Sequence, residues 1–103
     1  MSDADQVLQA LGDPTRRAIF DRLAQGPASI SQLAAPLGVT VTAVAQHIAV
    51  LEAAGLARSQ KLGRVRTCAL ATQGLDVLAR WIESRRPPLE RALDRLGDLL
   101  DEE

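Results

Sequence analysis

Four cations, Arg58, Lys61, Arg64 and Arg66, fall within nine residues near the middle of the chain, with no acid among them. Such a concentration can neutralise an extended polyanion. Shortly before it stand Thr40, Thr42, Ala43, Gln46 and His47, whose hydroxyls, amide and imidazole can hydrogen-bond while carrying no negative charge. Groups suited to other chemistry are few. His47 and Cys68 are the only soft metal ligands, too few for a tetrahedral site within one chain. Asp21, Glu52 and Asp76 are scattered, and no nucleophile stands at a recognisable spacing from His47. No metal, no cofactor and no catalysis are expected.

The net charge of −1 conceals a division. Residues 22–75 set Glu52 against Arg22, Arg58, Lys61, Arg64 and Arg66, a balance of +4, while residues 1–21 and 76–103 carry −2 and −3. A basic middle between acidic ends is the distribution expected if only the centre meets a polyanion. Phe20 and Trp81, the only aromatics, both lie on apolar stripes, so stacking on single-stranded bases is disfavoured and duplex DNA is the better polyanion. A chain of 103 residues suits one domain, 1–103, whose core must be built from Leu, Val, Ile and Ala. A single cysteine excludes an intramolecular disulfide and fits a reducing compartment. The start MSDADQV lacks the basic and apolar regions of a signal peptide, and no apolar stretch approaches membrane-spanning length. The expected location is cytoplasmic, at the nucleoid, with no membrane partner.

The elements that must position these residues follow from periodicity. Ala4, Val7, Leu8 and Leu11 recur at helical spacing up to Gly12. Asp13-Pro14 starts a second helix as N-cap and first-turn proline, with Ile19, Phe20 and Leu23 facing inward. Ser29 and Gln32 form a capping box for a third, carrying Ile30, Leu33 and Leu37, which Pro36 is expected to keep short or to kink and Gly38 ends. Thr40 caps a fourth helix whose Val44, Ile48 and Leu51 share one side, ended by Gly55. Residues 56–70 lose helical periodicity and read as a β-hairpin with its tip near Leu62-Gly63, so that the four cations form a basic wing. Helical spacing returns with Leu75, Val77, Leu78, Trp81 and Ile82, and Pro87-Pro88 is expected to break that helix before a last one carrying Leu89, Leu93, Leu96 and Leu100. The closing DEE is expected to fray.

Helices three and four, separated by LGV, make a helix-turn-helix over residues 29–54, followed by a wing over 56–70 and C-terminal dimerisation helices over 73–101. The fold expected is mainly α with a small β-hairpin. If Val44, Ile48 and Leu51 face the core, Thr42, Ala43, Gln46 and Val50 face outward with His47 at the margin. In this arrangement the N-terminal half of the second helix enters a major groove, where an amide such as Gln46 bonds an adenine edge. Thr40, Thr42, Ala43, Gln46 and His47 are thus the candidate base-reading residues, and Arg58, Lys61, Arg64 and Arg66, with Arg16, the candidate phosphate contacts.

The stretches LQALGDPTRRAIFDRL (8–23) and AVAQHIAVLEAAGLARSQKLGRVRT (43–67), with the Trp-containing helix behind them, closely resemble the ArsR/SmtB family of winged-helix repressors. The resemblance implies a homodimer, joined through the first and last helices, that binds a palindromic operator and releases it on a signal. Ser29-Ile30-Ser31 stands where many members have a Cys-x-Cys metal pair, and the last helix has no histidine, so this chain resembles a member without metal sites. Ala45 stands where the family often has Ser and Ala49 where it commonly has a basic residue, which shifts weight to Thr42, Gln46 and the wing arginines.

Apolar stripes on the first and last helices exceed what a small winged core can cover. Val7, Leu8, Leu11, Leu75, Leu78, Trp81, Ile82, Leu89, Leu93 and Leu96 are accordingly the candidate dimer interface. Two alternatives stand beside the DNA-binding repressor. One is a thiol-responsive regulator of the same fold using Cys68, for which a small buried residue is the plainer reading. The other is a winged-helix module that binds protein and not DNA.

Overall fold

The computed structural model describes residues 3–102, so Glu103 of the tail expected to fray lies outside them, while Asp101 still belongs to the last helix. The order is α1 (Asp3–Leu11), α2 (Pro14–Leu23), β1 (Ala28–Ser29), α3 (Ile30–Leu37), α4 (Val41–Ala53), β2 (Ala57–Leu62), β3 (Val65–Leu70) and α5 (Gln73–Asp101). This is a mainly helical chain with a small antiparallel sheet in the order β1-β3-β2.

The caps read from sequence are in place. Asp13 Oδ1 accepts from the Thr15 and Arg16 amides at 2.8 and 3.2 Å, with Pro14 at the first helical position. Ser29 and Gln32 close a reciprocal capping box on α3 at 3.1 and 2.9 Å. Pro36 leaves α3 only eight residues, and Gly38 ends it with φ of 65°, the left-handed conformation that glycine adopts without strain. Thr40 Oγ1 accepts from the Ala43 amide at 3.0 Å.

The core lies where α1, α2, α3 and α4 meet the base of the sheet. Ile19, Val44, Ile48, Leu51, Leu56 and Cys68 are wholly buried there. Helices α3 and α4 meet at 112°, within the range of a helix-turn-helix pair, and both turn their apolar sides into this core. No single helix among the described residues is long and apolar enough to cross a membrane.

Three features depart from the sequence reading. Ala28–Ser29 forms a short strand on β3, pairing Ala28 with Cys68 and Ser29 with Thr67, so the wing has three strands and not two. Two residues that otherwise read as the lead-in to a helix carry no strand periodicity. The second departure is α5, which runs unbroken through Pro87 and Pro88 for 29 residues. Those prolines leave the carbonyls of Glu83 and Ser84 without an amide partner, but residues 82–90 are all exposed, so both carbonyls face solvent. Ser84 Oγ donates to the Trp81 carbonyl and Glu83 pairs with Arg86 at 3.2 Å, holding the turn before the prolines.

The third is the junction of α4, the wing and α5. Gly74 is buried on α5, its amide donating to the Gly55 carbonyl at 2.8 Å. A Cβ at Gly74 would overlap the Ala54 carbonyl oxygen and press on the Leu56 side chain. Two glycines thus let the long helix begin directly against the end of α4.

Candidate nucleic-acid interface

Successive residues of α4 are rotated by about 100°, so its four sides can be followed one at a time. Val44, Ile48 and Leu51 fill the core side, each with no exposed surface. Thr42 and Gln46 lie opposite and are exposed, as are Ala49 and Val50. Ala43 is half-buried, and Thr40 keeps its exposed position as the cap. No acid lies in the first turn of α4, so its amide-rich end meets no local negative charge.

The flank carrying Val41, Ala45 and Glu52 faces the wing. Glu52 accepts a short hydrogen bond from the Ser59 hydroxyl on β2, which pins the sheet to the helix. Nearer the helix start, Val41 and Ala45 share a groove with Lys61, Arg64 and Arg66, bounded at its end by Ser29, Ile30 and Ser31. The structure therefore gathers the N-terminal half of α4 and three wing cations around one cleft.

Register explains why it is three and not four. Strands β2 and β3 pair Ser59 with Cys68 and Lys61 with Arg66, and side chains alternate faces. Lys61 and Arg66 lie on the face that turns Ser59 and Cys68 towards α4, while Arg64 sits in the turn. Arg58 points to the opposite face, beside Pro27, Gln60, Thr67 and Ala69. Its grouping with the other three around the tip is corrected by this register. The turn itself needs Gly63, whose φ of 62° at the first central position suits a two-residue hairpin of the II′ kind.

Lys61 and Arg66 stand directly across from each other, and like charges so placed repel. No ion pair neutralises either among the described residues. An anion lying over the pair would relieve the repulsion.

The other flank of α4 carries His47, half-buried, with Nδ1 3.4 Å from Arg16 Nη1. Arg16 was expected as a phosphate contact, but its guanidinium is turned inward. Nε donates to the Ala10 carbonyl at 2.6 Å and Nη2 to the Gln9 carbonyl at 3.1 Å, while Nη1 lies 3.8 Å from Asp13. Arg17 donates to the Leu11 carbonyl at 2.7 Å. The last carbonyls of α1 lie beyond its hydrogen-bond ladder, with Gln9 accepting from the Gly12 amide at 3.2 Å, and α1 has no base of its own in its final turn. The two arginines at the start of α2 supply what is missing. The sequence signal was an uncapped helix followed within a few residues by two arginines.

Cys68 is wholly buried between β1 and β2, and burial, then the charge of Glu52, pushes its thiol above the ordinary range. Such a thiol is a poor nucleophile, which disfavours a redox role. Ser29 and Ser31 offer no thiolate, and among the described residues no three His, Cys, Asp or Glu side chains come close enough to hold a metal ion.

The candidate dimer residues divide. Val7 is 1% exposed within the core of its own subunit, so it is not available to a partner, contrary to expectation. Its neighbours on α1 turn it inward, with Ala4 and Ala10 buried on the same side. Leu11, Leu75 and Leu78 are partly buried against that core, and Trp81 is half-buried under the Arg85 guanidinium, 4.8 Å from the ring centre. Leu8, Ile82, Leu89, Leu93 and Leu96 are 42–67% exposed, as are Leu99 and Leu100, which were not among the candidates.

Known proteins share this fold. Residues 11–60 match a family model described as a helix-turn-helix domain. The chain is 39% identical over 99 residues to the HTH-type transcriptional regulator Rv2034 of Mycobacterium tuberculosis, covering 96% of this chain and 90% of that protein. A crystal structure of an ArsR family transcriptional regulator is 39% identical with a TM-score of 0.80, over 85% of this chain and 91% of that one. An ArsR-like transcriptional regulator from Rhodococcus sp. RHA1 is 32% identical with a TM-score of 0.79, over 94% and 92%.

Proposed function

Because the chain belongs to the ArsR family of winged-helix transcriptional regulators, and is in that sense a regulator and not an enzyme, we propose that it represses transcription as a homodimer bound to a palindromic operator. One observation carries the DNA-binding part. Lys61 and Arg66 oppose each other on the wing, with Arg64 in the turn, across a groove from the acid-free start of α4. Phosphates of one strand would lie on those cations while Thr42 and Gln46 meet base edges in the major groove. Thr40, Ala43 and His47 border that contact, and Arg58, on the far face of the wing, would reach only backbone beyond it.

The dimer part is supported by exposed leucine. Ile82, Leu89 and Leu96 are spaced seven apart on α5, Leu93 and Leu100 each follow a member of that series by four, and all five are exposed. Leu8 on α1, which packs against α5, extends the same apolar surface. A solution structure described as a homodimeric winged helix-turn-helix DNA-binding domain, from Mycobacterium bovis, has the same fold, with a TM-score of 0.64 at 22% identity. A second subunit related by a two-fold axis would bury the stripe and mirror the dyad of a palindrome.

Footprinting on duplexes selected from a random-sequence library tests the reading. The expected result is a protected dyad with half-sites about one helical turn apart. A reporter promoter carrying that site is expected to lose output when the protein is supplied. Selection that enriches no sequence would remove the DNA-binding proposal. For the dimer, wild type is expected to sediment as two subunits at micromolar concentration and Leu93→Glu as one; a wild-type monomer would refute it.

A further inference from the structure

Val41 opens α4 with 51% of its surface exposed, although the core side of the helix is already filled by Val44, Ile48 and Leu51. It is no part of the hydrophobic core, and its exposed half lies in a groove that also holds Ile30 and Val65. It shares a side with Ala45, four residues on, and both line the groove whose opposite wall is Lys61, Arg64 and Arg66. We infer that Val41, with Ala45 beside it, is a specificity determinant that selects thymine at one position of each half-site.

The inference rests on the reading of α4 as the major-groove helix and names what its wing-side flank recognises. The cations hold a strand in the groove by its phosphates, which brings base edges against the apolar wall. Among those edges the thymine C5 methyl is the one alkyl group, and it projects furthest towards the apolar wall. Any amine or carbonyl pressed on Val41 would lose its water and find no partner. A thymine methyl instead leaves water as it meets the valine, while Thr42 and Gln46 on the adjoining outer side make the hydrogen bonds. Burying one such methyl is worth about fourfold in affinity.

The test uses the full-length protein and a duplex selected by it from a random-sequence library, with each thymine replaced singly by deoxyuridine. That exchange removes the methyl and keeps base pairing. One thymine in each half-site is expected to show a loss of about fourfold on replacement. The loss should vanish in Val41→Ala and persist in Val41→Ile. Both variants alter an exposed side chain at a helix start, and circular dichroism checks that they fold as wild type does. A selected site with no methyl-sensitive thymine, or one equally sensitive in Val41→Ala, overturns the assignment while leaving duplex binding intact. Failure to select any sequence overturns the assignment together with the reading of α4 beneath it.

Discussion

Replacing Arg64 and Arg66 together by alanine should change how steeply DNA affinity falls with salt. Three cations line the groove of each subunit, so the proposed dimer presents six. Each neutralised phosphate releases counterions and contributes about −0.9 to the slope of log K against log salt, so this set contributes about −5.4. The double variant keeps only Lys61 in each subunit, leaving about −1.8. Raising salt from about 50 to 200 mM should weaken the wild-type wing contribution about 2,000-fold and that of the variant only about 12-fold. Fluorescence anisotropy of a labelled duplex across a salt series reads both slopes. Sequence preference should survive, because phosphate contacts carry no base information. Thermal stability should hold or rise, since the substitution also removes the repulsion of Arg66 on Lys61. A slope within about one unit of wild type would show that these side chains do not touch phosphate, and the argument from the groove would fail.

Arg16→Ala should cost about 2 kcal/mol of stability, because it strips charged hydrogen bonds from two carbonyls at the end of α1. Denaturant titration measures that loss, and the salt slope of DNA binding should stay at the wild-type value if Arg16 is a tie within the fold. Gly74→Ala forces a methyl into the Ala54 carbonyl and Leu56, and should cost about 3 kcal/mol, lowering Tm by more than about 10 °C. Asp13 is held below the ordinary carboxylate value, chiefly by its hydrogen bond from the Arg16 amide. A pKa lower in the folded than in the unfolded chain gives stability that is complete above the unfolded value and is lost as pH falls through the folded one. Asp13→Asn, which keeps a capping oxygen, should therefore flatten the loss of stability below about pH 4 and change little at neutral pH. Thermal melts across that range follow it.

Local rules carried much of the fold. Capping at Asp13, Ser29 and Thr40 depends on a side chain and an amide two or three residues away, so sequence displays it. The buried trio on α4 follows from spacing in the same way. Contacts between distant segments were not displayed. Nothing near Ala28 indicates that it lies against Cys68; Arg58 and Lys61, three apart on one strand, take opposite faces by alternation, but only the register shows that Lys61 stands across from Arg66. An arginine beside a helix start looks alike in sequence whether it faces a phosphate or, as Arg16 does, a neighbouring helix end. Since α1 is apolar on more than one side, only packing decides that Val7 meets its own core while Leu8 stays exposed. At Pro87-Pro88 a sound rule about lost hydrogen bonds gave a wrong boundary. The rule prices a carbonyl without a partner, and that price is small where the carbonyl faces water.

The sides of α4 also bear on how a dimer would space its two reading surfaces. If the helix were held only by its core residues and the turn after α3, Thr42 and Gln46 could rock about that turn. They are braced on both flanks instead. Glu52 takes the Ser59 hydroxyl on the wing side, while His47 meets Arg16 on the other, and Arg16 also grips the end of α1. Since α1 packs against α5, contacts run from the His47 flank of α4 through Arg16 and α1 to α5, the helix that carries the exposed leucines. In the proposed dimer the separation of the two copies of Gln46 is then governed by how the two α5 helices cross, and a change in that crossing would move both copies off the half-site spacing together.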